Sequence, residues 1–285
     1  MTVCIASLAA ESRAIVCIAD RAVTYASSTG GPSSQADAGA QKIVGLGRTG
    51  WVALIGGTIP FAQKVTDKIS GLLGSERNPS RQHMQTVTKS AFTDCLDEEI
   101  TDQVLTPNML TRSDFFQRPN SLQPLDQKYV LEIARLITEV AIDSALIVCG
   151  FDTQGPHIFK IDNGARISPC DVEGYAVIGG GEDASRARII WSETDRSESL
   201  ESVMYDVFDA KVAAEIVQGV GYKWDWRILV AGKRPRKVSE RISRIIDRSW
   251  VAANRSPFAD RLGKRERPPR NWKRQLATFS AQVLR

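Results

Sequence analysis

The chain has 285 residues, 42% of them apolar, which fits one or two folded domains with a sizeable core. Its five cysteines, Cys4, Cys17, Cys95, Cys149 and Cys170, form no CxxC or Cys/His pattern, which argues against a metal site and for buried reduced thiols in a cytoplasmic setting. No apolar run approaches the roughly 20 residues of a membrane helix, no basic-then-apolar leader is visible, and the net charge of +4 is modest.

The opening Met1-Thr2-Val3-Cys4-Ile5-Ala6-Ser7 carries the first chemical signal. A threonine behind the initiator Met is small enough for an aminopeptidase to expose. Loss of Met1 would leave the Thr2 hydroxyl beside its own α-amino group, a built-in base with an unperturbed pKa of about 7.7–8.0. That pairing is a known way to activate a nucleophile.

Residues 2–7 read as a short strand and 14–19 as a second, rich in β-branched residues, with the polar link 10–13 as a hairpin and Asp20 just past its end. Residues 27–40 form a Gly/Ser/Ala loop. Segments 42–46 and 50–55 predict a strand pair that ends at Gly56-Gly57. Helical spacing follows over 60–73, with Phe61, Val65, Ile69 and Leu72 on one stripe. A long polar region, about 74–127, predicts a helix over 80–105 and a loop containing Pro107, Pro119 and Pro124. An amphipathic helix spans 126–142. Strands are predicted at 145–152, 157–161 and 175–178, the last running into Gly179-Gly180-Gly181. Helices at 183–194 and 199–217 precede a strand at 226–230. Strands thus cluster at both ends with helices between, which favours an α+β layered domain over a βαβ repeat.

The charge is uneven. Residues 233–285 hold 16 Lys/Arg against 4 Asp/Glu, a net of +12, and the other 232 residues hold 21 against 29, a net of −8. The expectation is a core domain at 1–232 with a basic C-terminal extension at 233–285. Such an extension can bind nucleic acid, but no nucleic-acid motif accompanies it, so a solvated or subunit-contact arm is the better reading. His83 reads as a solvated helix residue and His157 as a strand residue, since neither has a nucleophile motif beside it.

Taken in order, these segments resemble the β subunits of the proteasome and their bacterial homologues, which are N-terminal-nucleophile (Ntn) hydrolases. The resemblance runs over roughly residues 2–230, with an expanded middle. It rests on the would-be N-terminal Thr2, the Ala19-Asp20-Arg21-Ala22-Val23-Thr24 end of the second strand, and Lys42-Ile43. It rests also on Gly56-Gly57, fourteen residues after Lys42, the Leu146–Asp152 strand, Gly155–Gly164 and Ala176–Gly181. The resemblance implies a four-layer αββα sandwich around two central antiparallel sheets. It implies that Thr2 is the nucleophile, that Asp20 holds Lys42 charged and oriented near Thr2, and that the Gly56 N–H donates to the oxyanion. It offers Asp225 as a supporting carboxylate. It implies a peptide or unfolded-protein substrate, a homo-oligomeric ring that an ATPase could feed, and no cofactor.

Two departures stand out. Gly180 occupies the place where active relatives carry a serine, and no serine follows Asp225 before Ala231. They motivate a second reading, a catalytically silent structural or assembly subunit of the same fold. The third is a nucleic-acid-binding protein working through residues 233–285.

Overall fold

The computed structural model describes residues 2–25, 34–36, 40–116, 127–140, 142, 144–162, 164–253 and 272–285. It is an α+β arrangement of two five-stranded antiparallel sheets with helices. The first sheet comprises β1 (Cys4–Ala9), β2 (Ala14–Asp20), β10 (Tyr175–Ile178), β11 (Trp224–Val230) and β12 (Arg236–Lys237), in the order β10-β1-β2-β11-β12. The second comprises β5 (Ile43–Gly45), β6 (Val52–Gly57), β7 (Ser144–Phe151), β8 (Pro156–Ile161) and β9 (Ile167–Pro169), in chain order. A small ribbon pairs β3 (Val23–Tyr25) with β4 (Ser34–Ala36), the second of which lies inside the 27–40 stretch expected to be loop.

The strands read as continuous apolar runs because both faces are buried. On β1 and β2, Ile5, Val16 and Ile18 point to a helix-covered core, while Cys4, Ile15 and Cys17 point to a core that also takes Leu54, Ile147 and Cys149 from the second sheet. The Sγ atoms of Cys17 and Cys149 lie 3.5 Å apart across that inter-sheet core. All five cysteines are free and buried, as expected. A third core lies on the other face of the second sheet, where Ala53, Leu146, Val148 and Phe159 meet α1 (Ile59–Leu73) and α2 (Arg81–Ile100).

The buried stripe of α1 runs Phe61, Val65, Ile69, Leu73, while Leu72 is exposed. A step of four rather than three at the last turn keeps the row facing the sheet, which corrects the predicted stripe. The long middle region is largely helical. After α2 the helix widens into a π turn at Thr101–Leu105 and tightens into a 3₁₀ turn at Thr106–Asn108, where Pro107 sits. A short α3 (Arg112–Phe116) follows. Val104 and Leu105 then pack with Ile133 of α4 (Gln127–Glu139) in a satellite core, and Tyr129 Oη donates to the Asn108 carbonyl at 3.1 Å. The predicted positions Pro119 and Pro124 lie outside the described residues.

The first sheet's outer face is covered by α5 (Glu182–Trp191), α6 (Leu200–Ala214) and two helices from the basic end, α7 (Glu240–Ala253) and α8 (Trp272–Leu284). Ile245, Ile246 and Trp250 of α7 and Leu276, Phe279 and Val283 of α8 belong to that core. Trp250 Nε1 donates to Asp209 Oδ1 at 2.6 Å. The described parts of the basic end are therefore packed structure rather than a solvated arm. Arg255, Arg261, Lys264, Arg265, Arg267 and Arg270 lie outside the described residues.

Candidate active site

The start of β1, the end of β2 and the approach to β5 converge on three polar side chains. Thr2 is 5% exposed, Asp20 0% and Lys42 2%. Lys42 Nζ donates to both Thr2 Oγ1 and Asp20 Oδ1, the latter at 2.9 Å. An ammonium and a carboxylate this deeply buried are destabilising unless paired and fully hydrogen-bonded. Asp20 meets that condition. Its Oδ1 also accepts from Val3 N–H at 2.9 Å, and its Oδ2 accepts from Ala22 N–H at 3.2 Å and Gly221 N–H at 3.0 Å. The carboxylate is thereby fixed by three segments of chain, and it fixes the lysine in turn.

Thr2 is placed by its backbone as well. Gly181 N–H donates to the Thr2 carbonyl at 3.3 Å. Gly179 has φ +100°, and a Cβ there would fall 2.2 Å from the Thr2 carbonyl oxygen. Only glycine combines that conformation with that approach. The predicted Gly-rich turn thus borders Thr2, and it does so through Gly179 and Gly181, whereas Gly180 is exposed.

The amide expected at Gly56 is turned the other way. Successive N–H groups of a strand point to opposite edges. Ile55 N–H donates to the Lys42 carbonyl at 2.9 Å and Leu46 N–H to the Trp51 carbonyl at 3.0 Å, so odd-numbered residues of β6 face β5. Thr58 N–H donates to Ser144 Oγ at 3.1 Å, so even-numbered residues face β7. Gly56, opposite Ala145, therefore gives its N–H to the ladder. Gly57, at φ +85°, ends β6 beyond its last ladder pair with β5, Ile43 with Leu54, and the strand's alternation turns its N–H toward the Lys42 edge. The parity of the strand thus separates the two amides, Gly56 toward β7 and Gly57 toward the Lys42 edge.

Asp225 is not drawn into the cluster. Its carboxylate faces Arg227 Nη1 at 3.4 Å and Lys237 Nζ at 3.6 Å. The 219–223 segment reaches the site instead, through Gly221. Trp224 and Trp226 on either side of Asp225 pack against Phe208, at centroid distances of 4.9 and 6.2 Å.

The other candidate nucleophiles and bases are occupied elsewhere. Cys4, two residues from Thr2, is wholly buried and donates its thiol to the Ile55 carbonyl at 3.2 Å. Burial, above all, drives that thiol well above its usual range, although Lys42 pulls it down. His83 faces Glu76 at 2.9 Å. The buried His157 has Nδ1 3.0 Å from Asp171, while its Nε2, 3.0 Å from Asp152, lies outside hydrogen-bond geometry. Among the described residues no group of three or more His, Cys, Asp or Glu side chains is arranged to hold a metal, and no helix is long and apolar enough to cross a membrane.

No protein-family model matches the chain, and no curated protein matches its sequence.

Proposed function

We propose that the chain is a threonine-type peptidase or amide hydrolase of the Ntn kind, with Thr2 as the nucleophile once Met1 is lost. The observation that carries this reading is the buried Lys42, whose Nζ bridges Thr2 Oγ1 and Asp20 Oδ1. Side chains of this kind on three separate elements have little structural reason to converge on a hydroxyl. On this reading the three cores are the interfaces of a four-layer αββα sandwich, and the two sheets hold the nucleophile between them.

The reaction follows from the positions. Thr2 Oγ attacks the carbonyl of an amide, and its proton passes to the α-amino group, directly or through a water. Lys42 favours the developing alkoxide by its charge, and Asp20 holds Lys42 in line. The Gly57 N–H donates to the oxyanion of the tetrahedral intermediate. The amine leaves with a proton from the α-ammonium group, and water then hydrolyses the ester on Thr2. Peptide or unfolded protein as substrate, and a ring of identical subunits as the working form, complete the proposal.

One observation favours a silent subunit of the same fold. Asp225 turns to Arg227 and Lys237, away from the supporting place that the resemblance offered it. A single sample separates the two readings. Intact mass and N-terminal sequencing should show Thr2 as the first residue. A β-lactone should then add its mass to the N-terminal peptide of the parent protein and not to that of Thr2→Ala. Quantitative retention of Met1 would sink the mechanism, and an exposed Thr2 that no electrophile labels would establish the silent reading.

A further inference from the structure

A second buried lysine stands behind the cluster. Lys211 on α6 is 0% exposed, among apolar neighbours such as Val207, Phe208 and Ala214. Its Nζ pairs with Glu215 one turn on, donates to the Tyr222 carbonyl at 3.2 Å and lies 4.8 Å from the centre of the Trp224 ring. The carbonyl it takes belongs to the irregular stretch 219–223, which no strand ladder holds. The backbone groups of that stretch need partners from elsewhere. Three of them are informative. The Lys223 carbonyl accepts from Arg21 N–H at 2.9 Å, the Tyr222 carbonyl from Lys211, and Gly221 N–H donates to Asp20 Oδ2.

We infer that Lys211 is a positioning residue for the Thr2 site. It grips the 219–223 segment one residue from the amide that anchors Asp20, so the alignment runs from Lys211 through Gly221 to Asp20, Lys42 and Thr2. The inference rests on the proposed hydrolase reading for its effect on rate, but its structural half stands alone. An ammonium buried without a catalytic contact is hard to account for by stability alone, because an apolar side chain of similar length would fill the same space at lower desolvation penalty. Gly219, at φ +92°, lets the chain turn into the segment. A loop entered through such a turn needs an external clamp to hold one amide against one carboxylate oxygen.

The test uses the full-length protein with Lys211→Met, the paired Lys211→Met/Glu215→Leu, and Lys211→Arg. The paired variant removes both charges and remains informative where the single variant loses its fold. Amide exchange measures the clamp without any activity. In the apolar variants Gly221 should exchange about tenfold faster or more, with α6 and β2 protected as in the parent. Hydrolysis or β-lactone labelling measures the consequence. The rate should fall about 10- to 100-fold with KM nearly unchanged, the pH profile should shift, and Lys211→Arg should recover part of the loss. Unchanged Gly221 exchange, or unchanged kcat and pH profile in a folded variant, would overturn the proposal. So would failure of both apolar variants to fold, which would mark Lys211 as purely structural. A parent protein inert to substrate and to β-lactone would count against the hydrolase reading alone, with Gly221 exchange still deciding whether Lys211 positions Asp20.

Discussion

At the scale of single residues, Lys42 and Gly179 make opposite demands on the site. Lys42 supplies charge, and its removal should show mainly in chemistry. On the proposed mechanism, Lys42→Met should lower the rate of Thr2 acylation by about 100-fold or more, since it deletes the electrostatic contact to Thr2 Oγ1. It should also cost about 2–4 kcal/mol of stability, because Asp20 remains buried with only its amide donors. Stopped-flow labelling and a denaturant melt read the two effects separately. Gly179 supplies only space. Gly179→Ala would set a Cβ against the Thr2 carbonyl at a positive φ, so the turn must move. The expected result is a loss of about 2–4 kcal/mol together with loss of labelling at Thr2. Wild-type labelling in Gly179→Ala would show that Thr2 does not depend on this turn. Thr2, Asp20 and Lys42 were legible in the sequence, because each stands at the edge of a strand with a strong apolar signature. The part played by Gly179 was not. It depends on a backbone approach between segments nearly 180 positions apart, and the three glycines look alike in sequence.

At the scale of elements, strand parity decides which glycine amide faces the Lys42 edge of β6, the edge that serves the oxyanion in the proposed mechanism. In a structure of the Thr2 adduct, the former carbonyl oxygen should lie about 2.7–3.1 Å from Gly57 N and should have no contact with Gly56 N. A contact to Gly56 N would require β6 to have slipped by one residue, which would also turn Leu54 out of the inter-sheet core. Counting from Lys42 could not find this, because the count does not say which edge an amide faces. Helix α6 carries a different consequence. The half-buried Asp206 has its pKa raised from 3.8 to about 6, by burial first and then by the charges of Glu198 and Asp209, against the pull of Thr194 and Arg188. Between about pH 4 and 6 the native state holds a proton that the unfolded chain has released. Stability therefore falls as pH rises through that window, and the penalty is complete above it. Asp206→Asn should remove the penalty. Discounted for partial exposure, the gain at pH 7.5 is about 1 kcal/mol, or about 2–4 °C in Tm, and it should vanish near pH 4. An equal gain at both pH values would trace it to packing rather than to the carboxylate.

At the scale of the whole molecule, the basic end is what the sequence conceals most. Its net charge of +12 suggests a solvated arm, yet Ile242, Ile245, Ile246 and Trp250 recur on one side of α7 with the arginines on the other. That i, i+3, i+4 pattern was readable, and the charge masked it. The physical outcome is that the first sheet cannot bury its outer face with α5 and α6 alone. Trp250 packs edge-on against Phe208, 6.5 Å between centroids, and its indole N–H satisfies Asp209, which also pairs with Arg188. At the far end Lys233 Nζ donates to the Val283 carbonyl at 3.1 Å, tying the start of this region to its last helix. A chain ended after residue 232 should lose all of these contacts at once. Burial is worth about 1.5–3 kcal/mol for each large apolar side chain, and α7 and α8 place at least six in the core, so the loss, on the order of 10–20 kcal/mol, is as large as the roughly 5–15 kcal/mol that holds a typical domain folded. The truncated chain should therefore be insoluble or bind a hydrophobic dye strongly, with no cooperative melt. A soluble 1–232 fragment with parent-like circular dichroism and an intact Thr2 label would instead mean that α7 and α8 only cover a sheet that is stable without them.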